Sequence, residues 1–169
     1  MKKFILRDWQ MTDTKSLAEN ANNINVWNNL NDYFPHHYSE KDVEEFITKV
    51  LKNEFGIQKA IVVDEQAVGG IGIFPKTENY RHTAELGYWL GEKYWDRGIM
   101  TDAVKEFTAY IFTHFPHLKK MNALIFDFNI GSQKVLQKAG FEREAVLKQG
   151  AIKNEKVVDL YYFSVFKNG

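Results

Sequence analysis

Apolar residues recur at helical spacing in four stretches of the chain. Val43, Phe46, Ile47, Val50 and Leu51 follow the i, i+3, i+4, i+7, i+8 pattern of one helix face. Ser39 with Asp42 supplies a capping-box pattern that starts this helix, Asp standing where Glu is usual. Its charges, Glu40, Lys41, Glu44, Glu45 and Lys49, read as the solvated face. Met100, Ala103, Val104, Phe107, Ile111 and Phe115 mark a longer helix that begins after Gly98 and is stopped by Pro116. Asn129 to Ala139 reads as a helix closed by Gly140. A shorter one starts at Thr12 or Asp13 and takes in Leu17, Ala18 and Ala21.

Strand patterns fill the intervals. Lys3 to Trp9 reads as a short first strand. Ile57 to Val63 and Ala67 to Phe74 form a hairpin about Asp64-Glu65-Gln66. Thr83 to Leu90 alternates, with Glu85, Gly87 and Trp89 on one face and Leu86, Tyr88 and Leu90 on the other. Met121 to Phe128 is a further strand. Phe141 to Leu147 and Val157 to Phe166 make a final hairpin around Gly150 and Asn154. The order β-α-α-β-β-β-α-β-α-β-β predicts a mixed α/β architecture around one sheet.

Seven asparagines between residues 20 and 31 oppose regular structure, since Asn bonds its own backbone and tolerates left-handed turns. That stretch reads either as a plain surface loop or as a loop lining a substrate pocket. The second reading draws on its apolar residues Val26, Trp27, Leu30, Tyr33 and Phe34.

Composition narrows the function classes. The 169 residues contain no repeat and no Pro/Gly/Ser linker, so residues 1–169 are expected to form one domain. The 22 basic and 22 acidic residues cancel, against the basic excess that a broad nucleic-acid footprint needs. The absence of cysteine excludes disulfides, thiolate zinc sites and a cysteine nucleophile. No apolar run reaches membrane-span length, and Met1-Lys2-Lys3 meets charge before any long apolar segment. The expectation is a soluble cytoplasmic domain with no membrane partner.

Among candidate chemistries, the five histidines make a weak metal site. His36 and His37 are adjacent and would diverge in extended chain, and Pro116 interrupts any helix aligning His114 with His117. Gly69-Gly70-Ile71-Gly72 lies inside a strand pattern, where packing or a bulge explains it better than a phosphate loop. The segment around Trp95-Asp96-Arg97-Gly98-Ile99-Met100-Thr101 joins a strand to a helix start. Free first-turn amides, a glycine that admits close approach and Arg97 together suit a pyrophosphate; a plain turn is the alternative. Asn129-Ile130-Gly131-Ser132 opens the next helix, Asn129 either simply capping it or holding a ligand. Two helix starts after consecutive strands can together hold a long phosphorylated cofactor.

These residues resemble the GCN5-related N-acetyltransferases, the GNAT superfamily, and within it the Rim type that acetylates protein N-termini and small amines. The resemblance rests on Glu85-Leu-Gly-Tyr-Trp-Leu90 with Tyr94-Trp-Asp-Arg-Gly-Ile-Met-Thr101, and on Asn129-x-x-Ser132-x-x-Val135-Leu136-x-Lys138-x-Gly140-Phe141. It implies a GNAT fold: a single central, mostly antiparallel mixed sheet of six to seven strands flanked by about four helices. It implies a cytoplasmic acetyl-CoA-dependent N-acetyltransferase in which an amine attacks the thioester directly in a ternary complex. The backbone of Arg97, Gly98, Ile99, Met100 and Thr101 would hold the pyrophosphate. Met100 stands where the family usually has Gly or Ala. The backbone around Trp89 and Leu90 would pair with the pantetheine arm, Asn129 would bond its amides, and Ser132 would lie near the sulfur. Lys134 and Lys138 would meet the adenosine phosphates or merely solvate their helix.

Amine acylation needs a proton acceptor, because an α-amino group titrates near ~8 and a lysine-like amine near ~10. The family position makes Glu85 the base, working through water; an ion pair with Arg81 is the alternative. Many relatives carry a thiolate-protonating Tyr where this chain has Leu136. Ser132 is then the replacement, with Tyr88, Tyr161 and Tyr162 in reserve. Trp27, Leu30, Tyr33 and Phe34 are the candidate acceptor pocket, or else a core edge or the contact of a homodimer. The acceptor classes left open are a peptide N-terminus, a polyamine and an aminoglycoside. The competing function is a non-catalytic acyl-CoA-binding or regulatory module of the same fold.

Overall fold

The computed structural model describes residues 3–167. Met1 and Lys2, on which the expectation for the N-terminus partly rests, lie outside the described residues. The strands are β1 (Ile5–Arg7), β2 (Ile57–Val63), β3 (Gln66–Pro75), β4 (Thr83–Leu90), β5 (Lys120–Phe126), β6 (Glu142–Lys153) and β7 (Lys156–Phe166). The helices are α1 (Thr14–Ala21), α2 (Ile24–Trp27), α3 (Glu40–Leu51), α4 (Ile99–His114) and α5 (Ile130–Lys138). The strands form one sheet in the order β1-β2-β3-β4-β5-β7-β6, antiparallel at every step except β4–β5. This is the single mixed sheet that the sequence pattern predicts, mostly antiparallel as the resemblance implies.

Alternation along the strands separates two cores. Ala60, Val62 and Ala67 pack with Trp9, Leu17, Val43 and Ile47 from the α1 and α3 side. Ile61, Ile71 and Ile73 join Phe107, Ile111, Met121, Leu136 and Phe163 in a larger cluster with α4 and α5. The capping box at the start of α3 is present: Ser39 Oγ accepts from Asp42 N, and Asp42 Oδ2 accepts from Ser39 N. Its hydrogen bonds to Ser39 hold the Asp42 carboxyl below the usual carboxylate range.

Three local expectations are corrected. The asparagine stretch is not all loop: Asn20 lies buried within α1, where its Nδ2 bonds Ser16 O, and Asn23 caps the one-turn α2. A cap is a use of Asn that a propensity argument alone does not see. The last hairpin turns at Asn154-Glu155, both at positive φ, as expected for Asn154, but Gly150 takes no part in the turn. Gly150 sits inside the longer β6, where the register slips between Leu147 and Ala151. Strand β5 ends at Phe126, because the chain turns there to reach Asn129.

One break in the sheet positions the site. Strands β4 and β5 pair only where Thr83, Ala84 and Glu85 meet Lys120, Met121 and Asn122. Beyond that point β5 continues its full pairing with β7 and β4 stays on β3, so the two part.

Candidate functional site

The parting of β4 and β5 opens a cleft of about 830 Å³. At one end it meets the starts of α4 and α5; at the other it runs between β2–β4 and the residues from Val26 to Phe46.

At the first end, Gly98 adopts φ +76, and a methyl group there would meet nothing within 4 Å. Asp102 N makes the first α4 bond, to Gly98 O, and no side chain caps the helix. The amides of Ile99, Met100 and Thr101 therefore have no intrahelical partner, and these residues line the cleft. The Met100 side chain is buried in the α4 core, so its bulk lies away from the open space over Gly98. The donor set and the empty Cβ position fit a pyrophosphate. Arg97 does not line the cleft; its guanidinium stands 5.5 Å from the Tyr94 ring centre, and Lys3 Nζ donates to its carbonyl.

At α5, Asn129 Oδ1 accepts from Ser132 N at 3.0 Å, so the oxygen caps the helix and Nδ2 is the group left to face an occupant. Lys134 and Lys138 line the same end of the cleft.

Midway, the peptide groups of β4 take sides. Gly91 N donates to Val68 O, and the antiparallel alternation then turns Trp89 toward Gly70 of β3 and the peptide groups of Tyr88 and Leu90 into the gap. The strand groups available to an occupant are thus those of Tyr88 and Leu90, rather than those of Trp89. Leu90 O already accepts from Trp95 Nε1 at 2.7 Å. The Tyr88 hydroxyl crosses to α5 and donates to Ser132 O at 3.3 Å. Burial pushes that hydroxyl well above the ordinary tyrosine range, so it holds its proton. Leu136 is fully buried in the core, and Tyr161 and Tyr162 are not among the cleft-lining residues. Of the reserve tyrosines, Tyr88 alone joins Ser132 at the gap.

At the far end, Glu85 lines the cleft with its side chain 32% exposed. Its ion-pair partner is Lys76, at 2.8 Å, and not Arg81, whose guanidinium donates to Glu78 O. Leu30, Tyr33 and Phe34 line this end. Phe34 stacks on Tyr38 at 4.8 Å and meets Trp89 edge-on at 5.7 Å. Trp27 lies behind the wall, where its Nε1 donates to Phe34 O and Lys153 Nζ sits 3.4 Å from its ring centre. The asparagines tie this wall to the approach of α4: Asn23 and Asn25 each donate to the Glu92 carboxylate at 2.8 Å.

Gln58, Phe46, Phe55 and Phe74, which no sequence pattern marks as site residues, also line this far end. Phe46 and Phe74 sit in plain core-like patterns and Gln58 is one of two polar residues, with Lys59, at the start of β2, so only the tertiary fold brings them together. His36 and His37 stack at 4.7 Å because the chain bends there, and no metal-holding group occurs among the described residues.

Comparison with known proteins agrees with this geometry. The family model for the acetyltransferase (GNAT) domain matches residues 3–142. The probable N-acetyltransferase YjcK of Bacillus subtilis is 32% identical over 121 residues, 70% of this chain and 65% of that protein. The chain thus spans just under two thirds of that relative. A ribosomal-protein-serine acetyltransferase of Escherichia coli is 24% identical over 131 residues, 75% of this chain and 71% of the other. Among solved structures, the microcin C7 self-immunity acetyltransferase MccE, in complex with acetyl-CoA and AMP, superposes with a TM-score of 0.85 at 21% identity. The match covers 99% of this chain and 94% of that one, and the likeness is one of fold.

Proposed function

The chain belongs to the GNAT acetyltransferase family, and on that premise we propose that it is an N-acetyltransferase moving the acetyl group of acetyl-CoA to a primary amine. The acceptor is a peptide N-terminus or a small amine, and attack is direct. The observation that carries the reading is the parting of β4 from β5 onto the uncapped start of α4, with open space over Gly98. The chain works as a single cytoplasmic domain, and no helix among the described residues is long and apolar enough to cross a membrane.

Acetyl-CoA supplies a thioester carbonyl, whose C–S bond gives way to a C–N bond with the amine. The amides of Ile99, Met100 and Thr101 hold the pyrophosphate, and the peptide groups of Tyr88 and Leu90 with Asn129 Nδ2 steady the pantetheine. Glu85 takes the proton that the amine loses, through water. Lys76 keeps the carboxylate in place. The leaving sulfur takes its hydrogen bond from the Ser132 hydroxyl or from Tyr88, which burial keeps protonated. Holding amine and thioester together supplies much of the remaining acceleration.

Incubation with acetyl-CoA and a panel of amines, following free thiol and product mass, tests the reading. Thiol release matched by acetylated amine supports it. Coenzyme A binding with no turnover across the panel favours the non-catalytic acyl-CoA-binding module, for which the buried Leu136 in place of a tyrosine speaks.

A further inference from the structure

The acceptor end of the cleft has a floor almost free of side chains. Gln58, Gly72 and Gly87 face one another across β2, β3 and β4, at about 5 Å from strand to strand. Directly opposed residues share a sheet face, so this row lies on the face that carries Glu85 and Trp89. The Gln58 amide lies flat over Gly72, where an added methyl group would overlap it. At Gly87 an added methyl group would meet only Phe74, at 3.7 Å. An occupant can therefore rest on the backbone of Gly87, between Glu85 and Trp89 and one strand from the Gln58 amide.

That amide is unfinished. Gln58 lines the cleft, yet its Nε2 is buried with no hydrogen-bond partner. Orphaned N–H groups are costly, and rarer than under-satisfied carbonyls. The NH2 group lacks only an acceptor, and an occupant over Gly87, one strand from the amide, can bring an oxygen to it. Beside the floor, Phe46, Phe55 and Phe74 stand edge to face in series, with centroids 5.6 and 5.2 Å apart, a wall for a bulky apolar group. Asp42, Glu45 and Glu85 outnumber Lys49 and Lys76 here, which favours an ammonium and disfavours a free carboxylate.

We infer that the acceptor is an α-amino amide: a primary amine with a carbonyl on the neighbouring carbon and a bulky apolar side chain, as at the first residue of a peptide. Gln58 reads the carbonyl, and the phenylalanine wall takes the side chain. The inference rests on the acetyltransferase reading above, and it sets aside polyamines, amino sugars and free amino acids.

Thiol release by the full chain with acetyl-CoA is compared for phenylalaninamide, 2-phenylethylamine, alaninamide and phenylalanine, with kcat/KM taken per concentration of unprotonated amine, because an α-amino group titrates near ~8 and a simple alkylamine near ~10. Phenylalaninamide is expected to exceed 2-phenylethylamine about tenfold in kcat/KM, the scale of one neutral hydrogen bond, and to exceed the other two as well. In Gln58→Leu the phenylalaninamide to 2-phenylethylamine ratio falls to near one. Each ratio is taken within one preparation, so loss of folded protein cancels. A wild-type ratio near one, or a ratio that survives Gln58→Leu, overturns the inference and leaves acetyl transfer standing. Turnover confined to amines without the carbonyl does the same. A chain that turns over no primary amine at all overturns both readings.

Discussion

Lys153 Nζ lies 2.6 Å from Asp32 Oδ1, joining the tip of the β6–β7 hairpin to the loop that follows α2 across 121 residues of sequence. The two partners are unequal: the lysine side chain is 1% exposed and sits on Trp27, while Asp32 is 60% exposed. Losing the aspartate strands a buried ammonium, whereas losing the lysine leaves an aspartate already in water. Asp32→Ala is therefore expected to cost about 2 kcal/mol, and Lys153→Met under about 1 kcal/mol, since methionine keeps the packing on Trp27. Urea unfolding of both variants checks the order.

On the proposed mechanism, Glu85 matters most where the amine is still protonated. Glu85→Gln is expected to lower turnover roughly 10²-fold near neutral pH, with the deficit shrinking as the pH approaches the amine's own pKa. Affinity for coenzyme A should stay nearly unchanged. Full activity across the pH range would remove Glu85 from the mechanism.

The proposed mechanism gives the leaving sulfur two hydrogen-bond donors to choose from, Tyr88 and Ser132. Tyr88→Phe and Ser132→Ala should each lower kcat about tenfold, and together more than either alone, with the KM for acetyl-CoA little changed. Because burial raises the Tyr88 hydroxyl, the wild-type pH profile should show no loss from its ionisation up to pH ~10. Single-turnover rates separate this step from product release.

Tyr38 gives the fold an alkaline limit. Burial, and then the charge of Asp42, push its hydroxyl up to about 12. A raised folded-state value favours the protonated form, so the contribution is whole below pH ~10 and is lost as the pH rises toward 12. It amounts to roughly 2–3 kcal/mol. Unfolding free energies from pH 8 to 11 should fall above pH 10, and less steeply in Tyr38→Phe.

The elements were legible wherever one period dominated: α3 from Val43 to Leu51, and α4 from Met100 onward. The end of the cleft at the helix starts was legible too, since local sequence marks Gly98 and Asn129. The far end was not. Gln58, Phe55 and Phe74 converge only through the β2–β3–β4 register, and Trp27, placed in the pocket by its apolar character, is turned behind it by Lys153. The partner of Glu85 was missed for the same reason: Lys76 reaches it across the β3–β4 connection, while Arg81, nearer in sequence, turns to Glu78. Contacts set by strand register leave no mark on periodicity.

The most direct test of acetyl transfer uses acetyl-CoA labelled in its acetyl group, with phenylalaninamide and 2-phenylethylamine as acceptors. Catalysis over many turnovers should release one free thiol for each labelled amide formed. Coenzyme A bound at the start of α4, with no labelled amide from any amine tried, would contradict the account.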